Sequence, residues 1–203
     1  MAMVSSHEII IAGFGGQGVL SLGQILAYAA MEEGKEVSWM PSYGPEMRGG
    51  TANCIVIISP TRISSPIVTR FDSAIVFNQP SLDKFEARVK PHGLLLYEES
   101  AIIHPPTRED ILLLPIPAMR EAEQLGKKQV ANMVMLGAFL ARQQLVLFET
   151  VMVALKKTLP ERHHHLLPLN ERALMNGCDL ANRVPGVLSG EREHAGSATA
   201  LPR

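Results

Sequence analysis

Gly13, Gly15 and Gly18 stand at the spacing G-x-G-x-x-G, where the apolar run Ile9-Ile10-Ile11-Ala12 gives way to a helical pattern starting near Val19. Glycines there let the chain turn tightly and approach a ligand without Cβ clash, and the first N–H groups of the next helix are unpaired, with positive dipole character. A phosphate or other anion is what such a turn could hold. Gly16 and Gln17 belong to the same turn. The glycine spacing alone is a weak signal, and the competing reading is a strand-to-helix turn without a ligand.

A nicotinamide or flavin dinucleotide would also call for an acidic residue about 20 positions on, at the end of the second strand, to hold ribose hydroxyls. That strand reads Glu36-Val37-Ser38-Trp39-Met40 and ends in Pro41-Ser42, so Glu36 opens it and its carboxylate falls at the wrong edge of the sheet. Ordinary NAD binding is disfavoured. A second polar, glycine-rich loop follows, Ser42-Tyr43-Gly44-Pro45-Glu46-Met47-Arg48-Gly49-Gly50-Thr51. In a parallel sheet both loops leave the carboxyl edge, so they should be neighbours. Arg48 offers a planar fork for a phosphate or carboxylate, Glu46 could position it, and Gly49 and Gly50 allow close backbone approach. A structural turn with a surface ion pair is the alternative.

Three strings in order carry a family resemblance: Gly13 to Gly18, Ser42 to Cys54, and Val130-Ala131-Asn132-Met133-Val134-Met135-Leu136-Gly137-Ala138. Together they resemble the gamma subunit of 2-oxoacid:ferredoxin oxidoreductases. The Tyr43-to-Cys54 wording looks closer to the 2-oxoglutarate and branched-chain members than to the pyruvate members. The resemblance implies a complex that turns a 2-oxoacid and coenzyme A into acyl-CoA and carbon dioxide and passes electrons to ferredoxin. Thiamine diphosphate with Mg and the iron–sulfur clusters would lie in alpha and beta subunits or a ferredoxin-like delta subunit. The gamma chain would pack beside them, hold no cofactor alone and be inactive when isolated, with a homodimer left open for that state. Its ligand role would lie at the coenzyme A end, through the glycine loop, Ser42, Tyr43, Glu46, Arg48, Gly49 and Asn132. A free-standing Rossmann-like nucleotide-binding enzyme and a ligand-free scaffold are the alternatives.

Composition agrees with a supporting chain. Cys54 and Cys178 are the only cysteines, too few for the four thiolates of an ordinary iron–sulfur cluster and in no C-x-x-C spacing. They read as small buried or half-buried residues in a reducing cytoplasm. A net charge of -1 leaves no footprint for nucleic acid or an anionic membrane. The longest apolar stretch, Met133 to Leu140, is far short of the ~20 residues a bilayer needs, and no export signal is seen. No nucleophile with its base, no paired acid and base and no metal signature is legible. Glu98 and Glu99 are sequential and diverge on a strand, and His163-His164-His165 fan out at a surface helix start.

The elements that must position these groups form a three-layer α/β domain over residues 1–187, with a mixed, mostly parallel sheet of about six strands, helices on both faces and a Rossmann-like first βαβ unit. Residues 188–203 are small, polar and patternless, as a mobile tail would be. The first helix is expected to start at Gly16 or Gln17, to bury Val19, Leu22, Leu26 and Ala29, and to stop at Gly34. Asn53–Ser59 should be a strand in a hairpin with Arg62–Thr69, because Ser59-Pro60-Thr61 is turn chemistry. Further strands are read at Ala74–Phe77, Leu94–Tyr97 and Ile111–Leu114, and helices at Ala118–Leu125, Val130–Gln144, Glu149–Lys157 and Leu166–Asn182. The 130–144 helix is apolar nearly all round and should be central, with Gly137 allowing close packing on the sheet. Its Asn132 must find partners, either internally or at the ligand edge.

Overall fold

The computed structural model describes residues 6–43 and 50–184, with Tyr43 described by its backbone alone. One sheet organises the chain. Its strands are β1 (His7–Phe14), β2 (Glu36–Tyr43), β3 (Thr51–Ser59), β4 (Phe71–Val76), β5 (Val89–Glu98) and β6 (Leu112–Ile116), in the spatial order β2-β3-β1-β4-β5-β6. The last four of that order run parallel, whereas β3 is antiparallel to both β1 and β2. The expected mixed, mostly parallel six-stranded sheet is therefore present, in a three-layer arrangement.

β1 is buried on both faces. Ile9 and Ile11 point into one core and Ile10 and Ala12 into the other, all at most 1% exposed, which is why this strand reads as a continuous apolar run rather than an alternation. The larger core is covered by α1 (Val19–Glu32), α3 (Ala118–Gln124), α4 (Ala131–Arg142), α5 (Phe148–Thr158) and α6 (Leu167–Arg183). The smaller lies under α2 (Gln79–Phe85).

Three expectations need correction. The partner of β3 is not the Arg62–Thr69 stretch, which forms no strand; β3 pairs with β2 and slots between β2 and β1. Both its edges are then occupied, and Pro60 and Pro66 deprive the following stretch of ladder donors. The first helix starts at Val19 rather than Gly16 or Gln17, because Gly16 (φ +97) and Gly18 (φ +76) hold left-handed conformations that no helix admits. Gly137 brings α4 against α6, not against the sheet: a Cβ there would overlap the Leu174 carbonyl, and one at Gly177 would overlap that of Val134. Asn78 serves as the N-cap of α2.

Other boundaries agree closely. α1 ends as foreseen at Gly34 (φ +72), where Lys35 N–H donates to Ala30 O at 3.0 Å and Gly34 N–H to Met31 O at 2.9 Å, the paired bonds of a Schellman stop. The three histidines lie in a 3-10 turn, Glu161–Leu166, that leads into α6. β2 is an edge strand, and its Pro41 fits there because an outer edge needs no donor.

Candidate functional site

Between β1 and α1, residues 15–18 form the glycine turn at the carboxyl edge of the sheet. Gly15 N–H donates to Gly50 O at 3.0 Å, so the turn is joined to the end of the second loop. The expected neighbourhood of the two loops arises through β3, whose first residue, Thr51, pairs with Phe14 while Ala52 pairs with Tyr43. A cavity of about 540 Å³ opens beside the turn, walled by Phe14, Gly15, Gly16, Gly18, Val19, Leu20, Ser21, Gly50, Thr51 and Ala52. That volume is in the range of small-molecule sites. α1 enters it without a side-chain cap and without an acidic residue in its first turn, so the helix's first N–H groups keep their hydrogen-bonding capacity and positive character toward an anion.

The glycines of the motif do different work. At Gly13 a Cβ would stand 2.6 Å from Gln17 Oε1 and 2.9 Å from Phe77 Cβ, and at Gly18 it would stand 2.5 Å from Asn132 Nδ2. Those two make room for the protein's own amides. At Gly16 nothing lies within 4 Å, and the residue is exposed. There the missing side chain leaves open space.

Gln17 turns inward rather than toward the cavity. Its Oε1 accepts from Phe14 N–H at 2.6 Å and from Asn78 Nδ2 at 3.2 Å, and its Nε2 donates to Phe77 O at 3.3 Å. Asn132, 8% exposed, takes the internal course: its Nδ2 donates to Gly18 O at 3.4 Å. Ser42 is exposed and stands opposite Asn53, with β3 between it and the glycine turn. Glu46, Arg48, Gly49 and the Tyr43 side chain lie outside the described residues.

On the other side of the turn a smaller cavity of about 190 Å³ is bounded by Gln17, Phe77, Glu98, Met119 and Lys128, among others. Sequence reasoning passed over Glu98. It is 1% exposed, and its carboxylate accepts from Ser100 Oγ at 2.8 Å, Ala101 N–H at 2.8 Å and Met119 N–H at 3.2 Å, so it joins the end of β5 to the start of α3. Asn78 was missed too, although Asn two residues before a proline is a readable N-cap signal. Beneath α1, Cys54 is fully buried with its thiol directed to Val19 O at 3.6 Å, and burial pushes its pKa up to about 12. Cys178, half-buried on α6, donates to Gly137 O at 3.1 Å and is also raised, chiefly by burial. Among the described residues no cluster of His, Cys, Asp and Glu could hold a metal ion.

The family profile for pyruvate ferredoxin/flavodoxin oxidoreductases matches residues 8–180. Subunit VorA of the ketoisovalerate oxidoreductase of Methanothermobacter marburgensis is 47% identical over 134 residues, which is 66% of this chain but 28% of that protein. The gamma subunit of a keto/oxoacid ferredoxin oxidoreductase from Geobacter sulfurreducens PCA superposes with a TM-score of 0.75 at 31% identity, covering 88% of this chain and 99% of that one. A 2-oxoglutarate:ferredoxin oxidoreductase from Magnetococcus marinus, with 2-oxoglutarate, coenzyme A and succinyl-CoA bound, gives a TM-score of 0.81 at 25% identity over 90% of this chain and 32% of that one. Measured by sequence and by backbone alike, the chain belongs to the pyruvate ferredoxin/flavodoxin oxidoreductase family.

Proposed function

We propose that this chain is the gamma-type subunit of a 2-oxoacid:ferredoxin oxidoreductase and that its glycine-loop cavity receives the anionic end of coenzyme A during oxidative decarboxylation of a 2-oxoacid to acyl-CoA. The carrying observation is the uncapped start of α1 opening on the 540 Å³ cavity. N–H groups at that helix start would donate to phosphate oxygens, and Phe14, Val19, Leu20 and Ala52 offer apolar surface to the uncharged part of such a molecule. The match to a relative with coenzyme A bound supports this reading. Arg48, in the connection between β2 and β3, is proposed to add the positive charge the cavity's described wall lacks.

Thiamine diphosphate and the iron–sulfur clusters fit elsewhere in the assembly. The two cysteines sit on different elements, and Cys54 is held as a neutral thiol by burial, so a four-thiolate site does not fit here. This chain's own part is to bind and orient, with alpha and beta subunits, and a ferredoxin-like delta subunit where one is present, as partners in the cytoplasm.

Three measurements test the reading. Purification of the native complex should bring down the alpha and beta chains, and the isolated chain should not reduce a viologen dye with any 2-oxoacid, coenzyme A and thiamine diphosphate. Activity of the isolated chain would overturn the subunit assignment. In the assembled complex Arg48→Ala should raise the KM for coenzyme A about tenfold, as loss of a charge-assisted contact does. An unchanged KM with intact assembly would remove Arg48 from the site.

A further inference from the structure

The amides that hold the glycine turn form a chain whose orientation is fixed by its ends. Asn78, 4% exposed, caps α2 by accepting from Ser81 N–H at 2.9 Å through Oδ1, so its Nδ2 must be the atom that faces Gln17. Gln17 Oε1 accepts that N–H and, at 2.6 Å, the N–H of Phe14, while Gln17's own N–H donates to Phe14 O at 3.2 Å. The reciprocal Phe14–Gln17 pair clamps both ends of the Gly15–Gly16 tip. Gln17 cannot reverse its amide without leaving the Phe14 donor unmatched.

Resting on the coenzyme A reading above, we propose that Asn78, acting through Gln17, is a positioning residue: it holds the glycine tip in its ligand-ready shape from the far side of β1, without touching the ligand. Cavity and tip lie on one side of this amide chain and the start of α2 on the other. Ordering the tip in advance removes the entropic cost that a floppy loop would meet on binding, so the contribution appears in affinity rather than in the chemical step.

Asn78→Asp separates the link from the cap. The carboxylate still accepts from Ser81 N–H, but it has no N–H for Gln17, and Gln17 can satisfy it only by reversing and abandoning Phe14. In the assembled complex the KM for coenzyme A should rise about two- to tenfold, the worth of one neutral hydrogen bond, with kcat and the KM for the 2-oxoacid unchanged. Gln17→Met should move the same KM, and the double variant should fall short of the product of the two effects. Hydrogen exchange of the unaltered complex, with and without coenzyme A, is measured alongside. Protection of residues 15–22 by coenzyme A together with the KM split supports the proposal. Protection with an unchanged KM in Asn78→Asp, or with kcat and thermal stability falling in step with KM, overturns the positioning role alone. No protection in the unaltered complex overturns the coenzyme A reading and the proposal with it.

Discussion

The two edges of the sheet are built on opposite principles. At the amino edge, where β1, β4 and β5 begin, charges are matched and closed: Lys90 Nζ lies 2.6 Å from Glu8 and 2.9 Å from Asp72, Asp72 also accepts from Glu8 N–H at 2.8 Å, and His7 Nε2 meets the fully buried Ser73 Oγ at 2.9 Å. At the carboxyl edge the described wall of the large cavity carries no charged side chain, and its polar character comes from the main chain around four glycines, an uncapped helix and the hydroxyls of Ser21 and Thr51. Titratable side chains crowd where the chain needs to be tied shut, and open backbone donors gather where something can be received. A concentration of ionisable groups is thus a poor guide to the candidate site in this molecule.

The comparison is broken most forcefully at Gly18. If its missing side chain makes room for Asn132 rather than for a ligand, Gly18→Ala should cost about 2 to 5 kcal/mol of stability, the sum of left-handed strain and overpacking. Gly16→Ala meets open space and should cost only the strain, about 1 to 2 kcal/mol. Urea unfolding of both variants measures the difference, and equal costs would erase the distinction between framework glycine and cavity glycine.

The closed edge is sharpened by acid. Burial, opposed by Asp72 and Glu8 and aided by Lys90, holds the folded-state pKa of His7 below its ordinary value of 6.5. The unfolded chain therefore binds more protons just below that value, so this contribution is complete above about pH 6.5 and is lost as the pH falls through the window beneath. The urea midpoint should drop between about pH 7.5 and about pH 5, and His7→Gln, which keeps a partner for Ser73 but does not titrate, should flatten the profile. A slope unchanged in the variant would assign the dependence to other groups.

Lys90→Met is expected to be milder. Its side chain is 36% exposed, so the two ion pairs together contribute about 1 kcal/mol at low salt and less at high salt. Coenzyme A kinetics should not respond, since the group lies at the opposite edge. A change in KM would show the edges to be coupled.

The smallest effect is an absence of reaction. With its thiol buried and its pKa near 12, Cys54 should stay unalkylated in the native chain at about pH 8, while the half-buried Cys178 reacts slowly. Mass spectrometry after iodoacetamide treatment reads both, and rapid native labelling of Cys54 would mean that β3 opens beneath α1.

What was legible in the residues was whatever depends on local runs. The apolar Ile9–Ala12 strand, the Gly34 stop and the largely apolar 131–142 helix are dictated by near neighbours in sequence, and the structure has them within a few residues. The placement of β3 was not legible, because Asn53–Ser59 offers apolar residues to either neighbour and nothing local says which strand will accept it. The same holds for the glycines: their spacing marks a turn, but which of them faces the cavity depends on Phe77, Asn78 and Asn132 arriving from elements 60 to 114 residues away. Asn132 illustrates the limit, since one buried amide in an apolar helix announces a partner without naming it.

The insertion of β3 between β1 and β2 also sets where the structure can loosen. Thr51 pairs with Phe14 at the very end of the ladder, followed inward by Ala52 with Gly13 and then by fully buried rungs such as Cys54 with Ile11. Peeling the outermost rung and the Gly15–Gly50 bond would widen the mouth of the cavity while leaving those inner rungs closed. The doorway is hung on the last link of a zipper, so it can swing at little cost to the framework that carries it.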